Sequence, residues 1–372
     1  MALAAALCAL LVSSSGSAAG APAPRYDVPH DFLGIVDELL PSVSDYWKVQ
    51  DLKAMRRAGV EILRQDFDWA AIEPRQGTYD FAGTDALISA AAKAGVRVLA
   101  VLNGPSPAWA VTDPRSCTRV SRYGECPPRS MASFASFAAT VARRYGPDGT
   151  FWRSHPALHA LPINSWEIWN EPNFDLYWDG RPSAAAYASM LRATAPAIRA
   201  VNAHAEIVTA GVANPGNPNE GIAEETYIKQ FLAQRPRPPF DTFAVHQYDY
   251  NATEVIADVK GVRSLLDAVG LRSTPIWLTE FGWASAGQSS PFTVGPKRQA
   301  QYVLATIVTL AREARSWHIR GLVYYDWQDE RIYAGGGANP WQFHTGLVTF
   351  GNVAKPAQSA YYQAAGVIGA LP

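Results

Sequence analysis

The chain has 372 residues, 48% of them hydrophobic and 11% aromatic, so it is long and apolar enough to bury a large core, which excludes a disordered chain. Lys and Arg number 32 against 33 Asp and Glu, and charged residues make up only 17%. No segment gathers basic charge into the stripe that a phosphate backbone requires, which excludes nucleic acid as an expected partner.

Residues 1–21 read as a secretory leader: an apolar run from Ala2 to Val12 precedes small residues, and Ser17-Ala18-Ala19 offers a small-x-small cleavage site. The leader lacks the usual basic residue ahead of its apolar run. That run is far short of the roughly 20 residues of a membrane span, and no later segment qualifies, so no membrane insertion is expected once the leader is gone. Cys8 falls inside the leader, leaving Cys117 and Cys126 in a loop rich in Pro, Arg and Ser. A disulfide between them is the natural reading in an oxidising compartment. The protein is therefore expected to be secreted, with residues 22–372 forming one domain. Asn251-Ala252-Thr253 is a glycosylation sequon.

After the leader, short apolar runs alternate with longer amphipathic stretches. Strands are expected at Phe32–Val36, Glu61–Gln65, Arg97–Leu102, Asn164–Trp169, Ile207–Gly211, Thr242–His246, Ile276–Thr279 and Gly321–Tyr325. All are rich in Val, Ile, Leu and aromatics, as strands covered on both faces should be. Helices are expected between them at Asp45–Arg57, Thr84–Ala94, Met131–Tyr145, Ser183–Val201, Glu224–Gln234, Glu254–Ala268 and Lys297–Arg315, with a last one at Ala357–Gly366. Gly59 and Gly95 stand where a left-handed cap would end a helix. Eight strand-helix repeats predict an α/β fold, a parallel (β/α)8 TIM barrel whose active site lies at the C-terminal ends of the strands. The alternative, an open doubly wound sheet, calls for a glycine-rich turn after the first strand, and Phe32-Leu33-Gly34-Ile35-Val36-Asp37 offers none.

In a barrel the polar residues at strand ends carry the chemistry. The fourth strand leads into Trp169-Asn170-Glu171-Pro172-Asn173, and the seventh into Thr279-Glu280-Phe281-Gly282-Trp283. Glu171 and Glu280 would face each other across the barrel mouth. Such a pair is what glycoside hydrolysis requires: one carboxylic acid protonates the departing oxygen while the other carboxylate attacks the sugar carbon.

These two motifs, in this order on strands four and seven, closely resemble the catalytic strands of the clan A retaining glycoside hydrolases, most of all family 39 and neighbouring family 5. The resemblance implies that Glu171 is the acid/base and Glu280 the nucleophile, and that Asn170 hydrogen-bonds the sugar 2-hydroxyl. Arg64, at the end of strand two, and Tyr248, in His246-Gln247-Tyr248 after strand six, match positions that support the nucleophile. Trp327 resembles the platform beneath the sugar being cleaved, and His246 joins the substrate-binding set. The loop Asn103-Gly104-Pro105-Ser106-Pro107-Ala108-Trp109 lacks the histidine that several clan members place after strand three. The expected function is a secreted retaining glycosidase acting on a β-linked oligo- or polysaccharide. The alternative from another class is a carbohydrate-binding barrel without catalysis.

Structural readings stand beside several of these. Arg64 would also fit an ion pair with Glu167 or Asp66, His246 a core histidine, and Glu167 a structural carboxylate. Trp69, Trp109, Trp178, Trp283 and Trp341 fall in loops above the strands, where each would suit sugar stacking or packing. Neither a metal nor a cofactor is expected: His155 and His159 flank Pro156 without the Glu of a zinc protease motif, and Gly335-Gly336-Gly337 reads as a flexible loop.

Overall fold

The computed structural model describes residues 26–112, 126–179, 182–330 and 339–371. The leader, Cys8, Cys117 and the Gly335-Gly336-Gly337 run lie outside them. Eight strands, β1 (Leu33–Val36), β2 (Ile62–Asp68), β3 (Arg97–Asn103), β4 (Ser165–Ile168), β5 (Glu206–Thr209), β6 (Phe243–Gln247), β7 (Ile276–Phe281) and β8 (Ile319–Tyr324), alternate with helices. They are hydrogen-bonded in the order β5-β4-β3-β2-β1-β8-β7-β6, every pairing parallel. Isolated parallel bridges from Val208 to Thr242 and from Val212 to Val245 join the two remaining edges and close the ring. The expected (β/α)8 barrel is what forms.

Side chains alternate along a strand, so each strand feeds two compartments. One set packs against the helices in the main core. The other fills the bore, where Val36, Ile62, Leu99, Val208, Ala244, Trp277 and Val323 form a separate buried cluster. Gly321 makes room for Trp277, since a Cβ there would sit 2.8 Å from the indole nitrogen. Two residues beyond Ile62 on the same face comes Arg64, and two beyond Ala244 comes His246, both at the layer above this apolar plug.

The outer helices follow the expected pattern. Asp45–Arg57 and Met131–Tyr145 match to the residue. Gly59 (φ +98°) and Gly95 (φ +72°) take the left-handed conformation at helix ends. Asn251 of the sequon caps helix Ala252–Ala268, its Oδ1 accepting from the amides of Thr253 and Glu254. The last helix, Pro356–Ile368, packs beside Pro296–Glu313 and Tyr361 donates to the Gly34 carbonyl at 3.1 Å. β2 runs to Asp68, past its expected end at Gln65, because Asp66, Phe67 and Asp68 stay paired with Val101, Leu102 and Asn103 although the apolar run has stopped. No helix among the described residues is long and apolar enough to cross a membrane.

One expectation is corrected for the described residues: no disulfide is found among them, because Cys126 is the only cysteine they contain and its expected partner Cys117 lies outside.

Candidate active site

Glu280 owes its position to an irregularity in β7. Register shifts between Leu278 and Phe281 relative to β8, and the facing strand β6 shifts between Val245 and His246. Strict alternation would send Thr279 into the bore and Glu280 away from it. The bulge instead brings both inward, a known use of bulges beside active sites. Thr279 Oγ1 reaches Oε1 of Glu167 at 3.4 Å, while Glu280 Oε1 accepts from Arg64 Nη1 at 2.6 Å. Tyr248 donates its hydroxyl to the other oxygen, Oε2, also at 2.6 Å.

Glu171 is placed by a different device. Past the end of β4 the chain turns through Trp169 (φ +73°) and Glu171 (φ +38°), two side-chain-bearing residues in left-handed conformations. Such geometry costs of order 1–3 kcal/mol per residue and persists where the surroundings fix it. Here the Glu171 amide donates to the Gly211 carbonyl at 3.1 Å, and buried Asn173 donates through Nδ2 to the carbonyls of Ala213 and Ile222 at 2.7 and 2.9 Å. The result aims Glu171 Oε1 at His246 Nδ1, 2.8 Å away; the same nitrogen is 3.6 Å from Glu280 Oε2. One oxygen of each glutamate and a nitrogen of His246 all lie within 4.8 Å of one another. These three groups are also the ones among the described residues that could share a cation, though Arg64 and Tyr248 already occupy both oxygens of Glu280.

The two glutamates are tuned apart. Burial raises the pKa of Glu171 well above its ordinary value, and the charge of Glu280 pushes it further, with only partial relief from Arg64. Burial raises Glu280 as well, but Arg64 and the Tyr248 hydroxyl pull it back. Glu171 therefore takes a proton first, and Glu280 holds the charge. His246 is held well below its ordinary pKa by burial and then by Arg64, so its imidazole is neutral.

Arg64 performs both roles open from the sequence, using different nitrogens. Nε and Nη2 form a two-point pair with Glu167 at 2.8 and 3.0 Å, Nη1 holds Glu280, and Nη2 also reaches Asn170 Oδ1 at 2.9 Å. Glu167 is the fully buried structural carboxylate, with the Gly211 amide as a further donor at 3.1 Å. Removing the guanidinium strands that charge, so Arg64→Ala is expected to lower stability by about 3–5 kcal/mol, readable in urea unfolding.

Sequence reasoning missed Gly211. A Cβ there would lie 2.0 Å from Nε2 of His246, so only glycine lets the ring lie flat against the strand end. Nothing in a lone strand-end glycine announces this. Gly211→Ala is expected to displace His246 and with it Glu171, lowering kcat by about 100-fold, the scale of a 1 Å misplacement, while the variant still folds; steady-state kinetics beside a thermal melt would show it.

The aromatic expectations divide. Trp327 is 2% exposed in the core and offers a ligand no face; its neighbour Tyr325, half-buried, stands at the mouth with its ring 6.4 Å from that of Tyr248. Trp69, Trp178 and Trp283 are packing residues, and Trp109 is half-buried edge-on against Trp69. Trp341 alone of the five meets the site, 5.4 Å from the Tyr248 ring.

Comparison with known proteins gives two family-model matches, one described as β-galactosidase over residues 42–205 and one as glycosyl hydrolase catalytic core over 159–316. A β-galactosidase from Arthrobacter sp. is 30% identical over 42% of this chain and 23% of its own length. A second, from Heyndrickxia coagulans, is 28% identical over 32% of this chain and 19% of its own. The chain thus spans about a fifth of these curated relatives. Among solved structures, a family 39 β-xylosidase from Caulobacter crescentus superposes with a TM-score of 0.65 at 19% identity, covering 91% of this chain and 72% of that one. A glucosidase from Croceicoccus marinus gives 0.65 at 16%, covering 92% and 69%. The fold is that of a clan A-like glycosidase barrel. Families 39 and 5 expected from the motifs recur among the structural matches of this clan A-like barrel, and the sequence matches add the β-galactosidases.

Proposed function

We propose that the protein is a secreted retaining glycoside hydrolase that cleaves a β-linked glycan by double displacement. The separation of the two carboxylates carries this reading: oxygens of Glu171 and Glu280 lie within 4.8 Å. Retaining enzymes place the pair about 5–5.5 Å apart, whereas inverting ones need roughly 6.5–9.5 Å to admit a water. Glu280, ionised between Arg64 and Tyr248, attacks the anomeric carbon as Glu171 protonates the departing oxygen; Glu171 then takes a proton from the water that releases the sugar. Arg64 fixes Asn170 by its Oδ1, which leaves the amide nitrogen as donor to the sugar 2-hydroxyl. Tyr325 supplies the aromatic face beneath the sugar in place of Trp327. The opposed tuning of the carboxylates favours catalysis over a barrel that only binds carbohydrate.

Secretion is supported by the leader. The relatives' names, β-galactosidase and β-xylosidase among them, differ in sugar and support a β-glycosidic bond. The test is the anomeric form of the first product, followed by proton NMR on an aryl β-glycoside. A β-anomer appearing first is expected; an α-anomer appearing first would overturn the retaining mechanism.

A further inference from the structure

We propose that Tyr187 is a positioning residue for Glu171, its hydroxyl standing as a wedge between β4 and β5 that turns Asn170 and Glu171 together into the mouth. This rests on the glycosidase reading of the same site. The two strands run in regular parallel register from Ser165 opposite Glu206 to Ile168 opposite Thr209, and the Glu206 amide donates to the Asn164 carbonyl at 2.8 Å. Bonds of a parallel pair are evenly spaced, so the same series calls for the Ala210 amide to meet the Ile168 carbonyl. Both groups go to the hydroxyl of Tyr187 instead. Its oxygen accepts from the Ala210 amide at 2.5 Å, and it donates to the Ile168 carbonyl at 2.9 Å. A phenol suits this place because one atom both donates and accepts.

Beyond the wedge the pairing resumes out of step. The regular continuation would join the Asn170 amide to the Ala210 carbonyl; the bond that forms joins the Glu171 amide to the Gly211 carbonyl at 3.1 Å, one residue later on both strands. The slip reverses the alternation of side chains. Glu167 faces the bore, so strict alternation would send Trp169 inward and Asn170 toward the helices. Trp169 instead packs edge-on against Phe134 and Trp178, while Asn170 meets Arg64 and Glu171 meets His246. The Gly211 amide is left to donate to Oε1 of Glu167.

Tyr187 projects from helix Ala184–Arg199 and is 1% exposed, its ring held by Phe231 at 5.5 Å and Trp178 at 6.3 Å. Burial raises its pKa, with the Ala210 amide opposing and Glu167 adding, so the proton stays on and the Ile168 carbonyl keeps its donor. Without the hydroxyl, two buried backbone groups lose their partner and are driven to close on each other. Closure draws Gly211 and the Glu171 turn back toward regular register, away from Glu280 and His246. Burial and the charge of Glu280 are what raise the pKa of Glu171, so displacement lowers it toward the ordinary carboxylate value.

The test compares Tyr187→Phe, which keeps the ring, with Phe231→Leu, which disturbs the packing of that ring and keeps the hydroxyl. Infrared titration follows the Glu171 carboxyl, identified by its loss in Glu171→Gln, and needs no turnover. In Tyr187→Phe the carboxyl is expected to ionise at lower pH, the alkaline limb of the pH profile to move the same way, and the acid limb to stay. Alkyl β-glycosides, which need the proton, are expected to slow by about 100-fold, and those of acidic phenols far less. Tyr187→Met, also without the hydroxyl but more adaptable in the core, is expected to give the same signature. Phe231→Leu is expected to melt lower with the Glu171 titration and the leaving-group dependence unmoved. An unmoved titration in both Tyr187 variants overturns the proposal, as does an equal shift in Phe231→Leu. Hydrolysis by the parent beside an unmoved titration overturns this inference and keeps the glycosidase. A moved titration in a protein that hydrolyses no glycoside keeps the wedge and overturns the glycosidase.

Discussion

Glu280→Gln is expected to lower turnover by at least about 10⁴-fold while the fold survives, a loss on the scale seen when a covalent nucleophile is removed. A carboxamide has the shape of the carboxylate, so Arg64 Nη1 keeps an oxygen to donate to and Tyr248 keeps a neighbour, but the group has no charge with which to attack. Unchanged circular dichroism and melting, together with the lost rate, would separate chemistry from misfolding. The substitution also has an electrostatic signature. The charge of Glu280 raises the pKa of Glu171, so neutralising it lets Glu171 ionise at lower pH. Infrared titration of the Glu171 carboxyl in the two proteins reads the sign directly: an upward shift would contradict the assignment.

The second large effect belongs to Glu171→Ala, and it depends on the leaving group. Glycosides whose alcohol departs poorly need the proton and are expected to slow by about 10²–10⁴-fold, whereas those of acidic phenols leave almost unaided in the first step. The pH profile changes in a defined direction. In the parent protein, the proposed activity is expected to be lost as pH rises through the raised pKa of Glu171 and as pH falls through that of Glu280. Because burial raises both groups, the bell is displaced toward neutrality from the ordinary carboxylate range. In the variant the alkaline limb disappears and the acid limb remains. A profile of unchanged shape would remove Glu171 from the acid/base role.

The eight strands were legible because a parallel barrel strand, covered on both faces, writes itself as an unbroken apolar run; Ile62–Asp68 overran its expected end only where the run turned polar but stayed paired. The two glutamates were legible because strand ends in a barrel converge. What the sequence concealed were relations between distant segments. That Gly211 lies under His246, that Trp327 turns into the core while Tyr325 stays at the mouth, and that a bulge rotates Glu280 inward all depend on packing. Arg64 shows the limit from another side: contacts to Glu167 and to Glu280 stood as alternatives in the sequence, and a guanidinium has enough donors to make both at once.

The left-handed turn at Glu171 makes this chain less durable than it need be. Its φ of +38° suits glycine, and its carboxyl is buried against its own ionisation. A sequence selected for endurance alone would abandon both. Glu171→Gly is accordingly expected to melt at a higher temperature than Glu171→Gln, which loses the charge but keeps the contorted backbone, and calorimetry of the two inactive proteins would isolate what the turn costs. The thermal ceiling of the protein is in part set by the residue proposed as its acid/base.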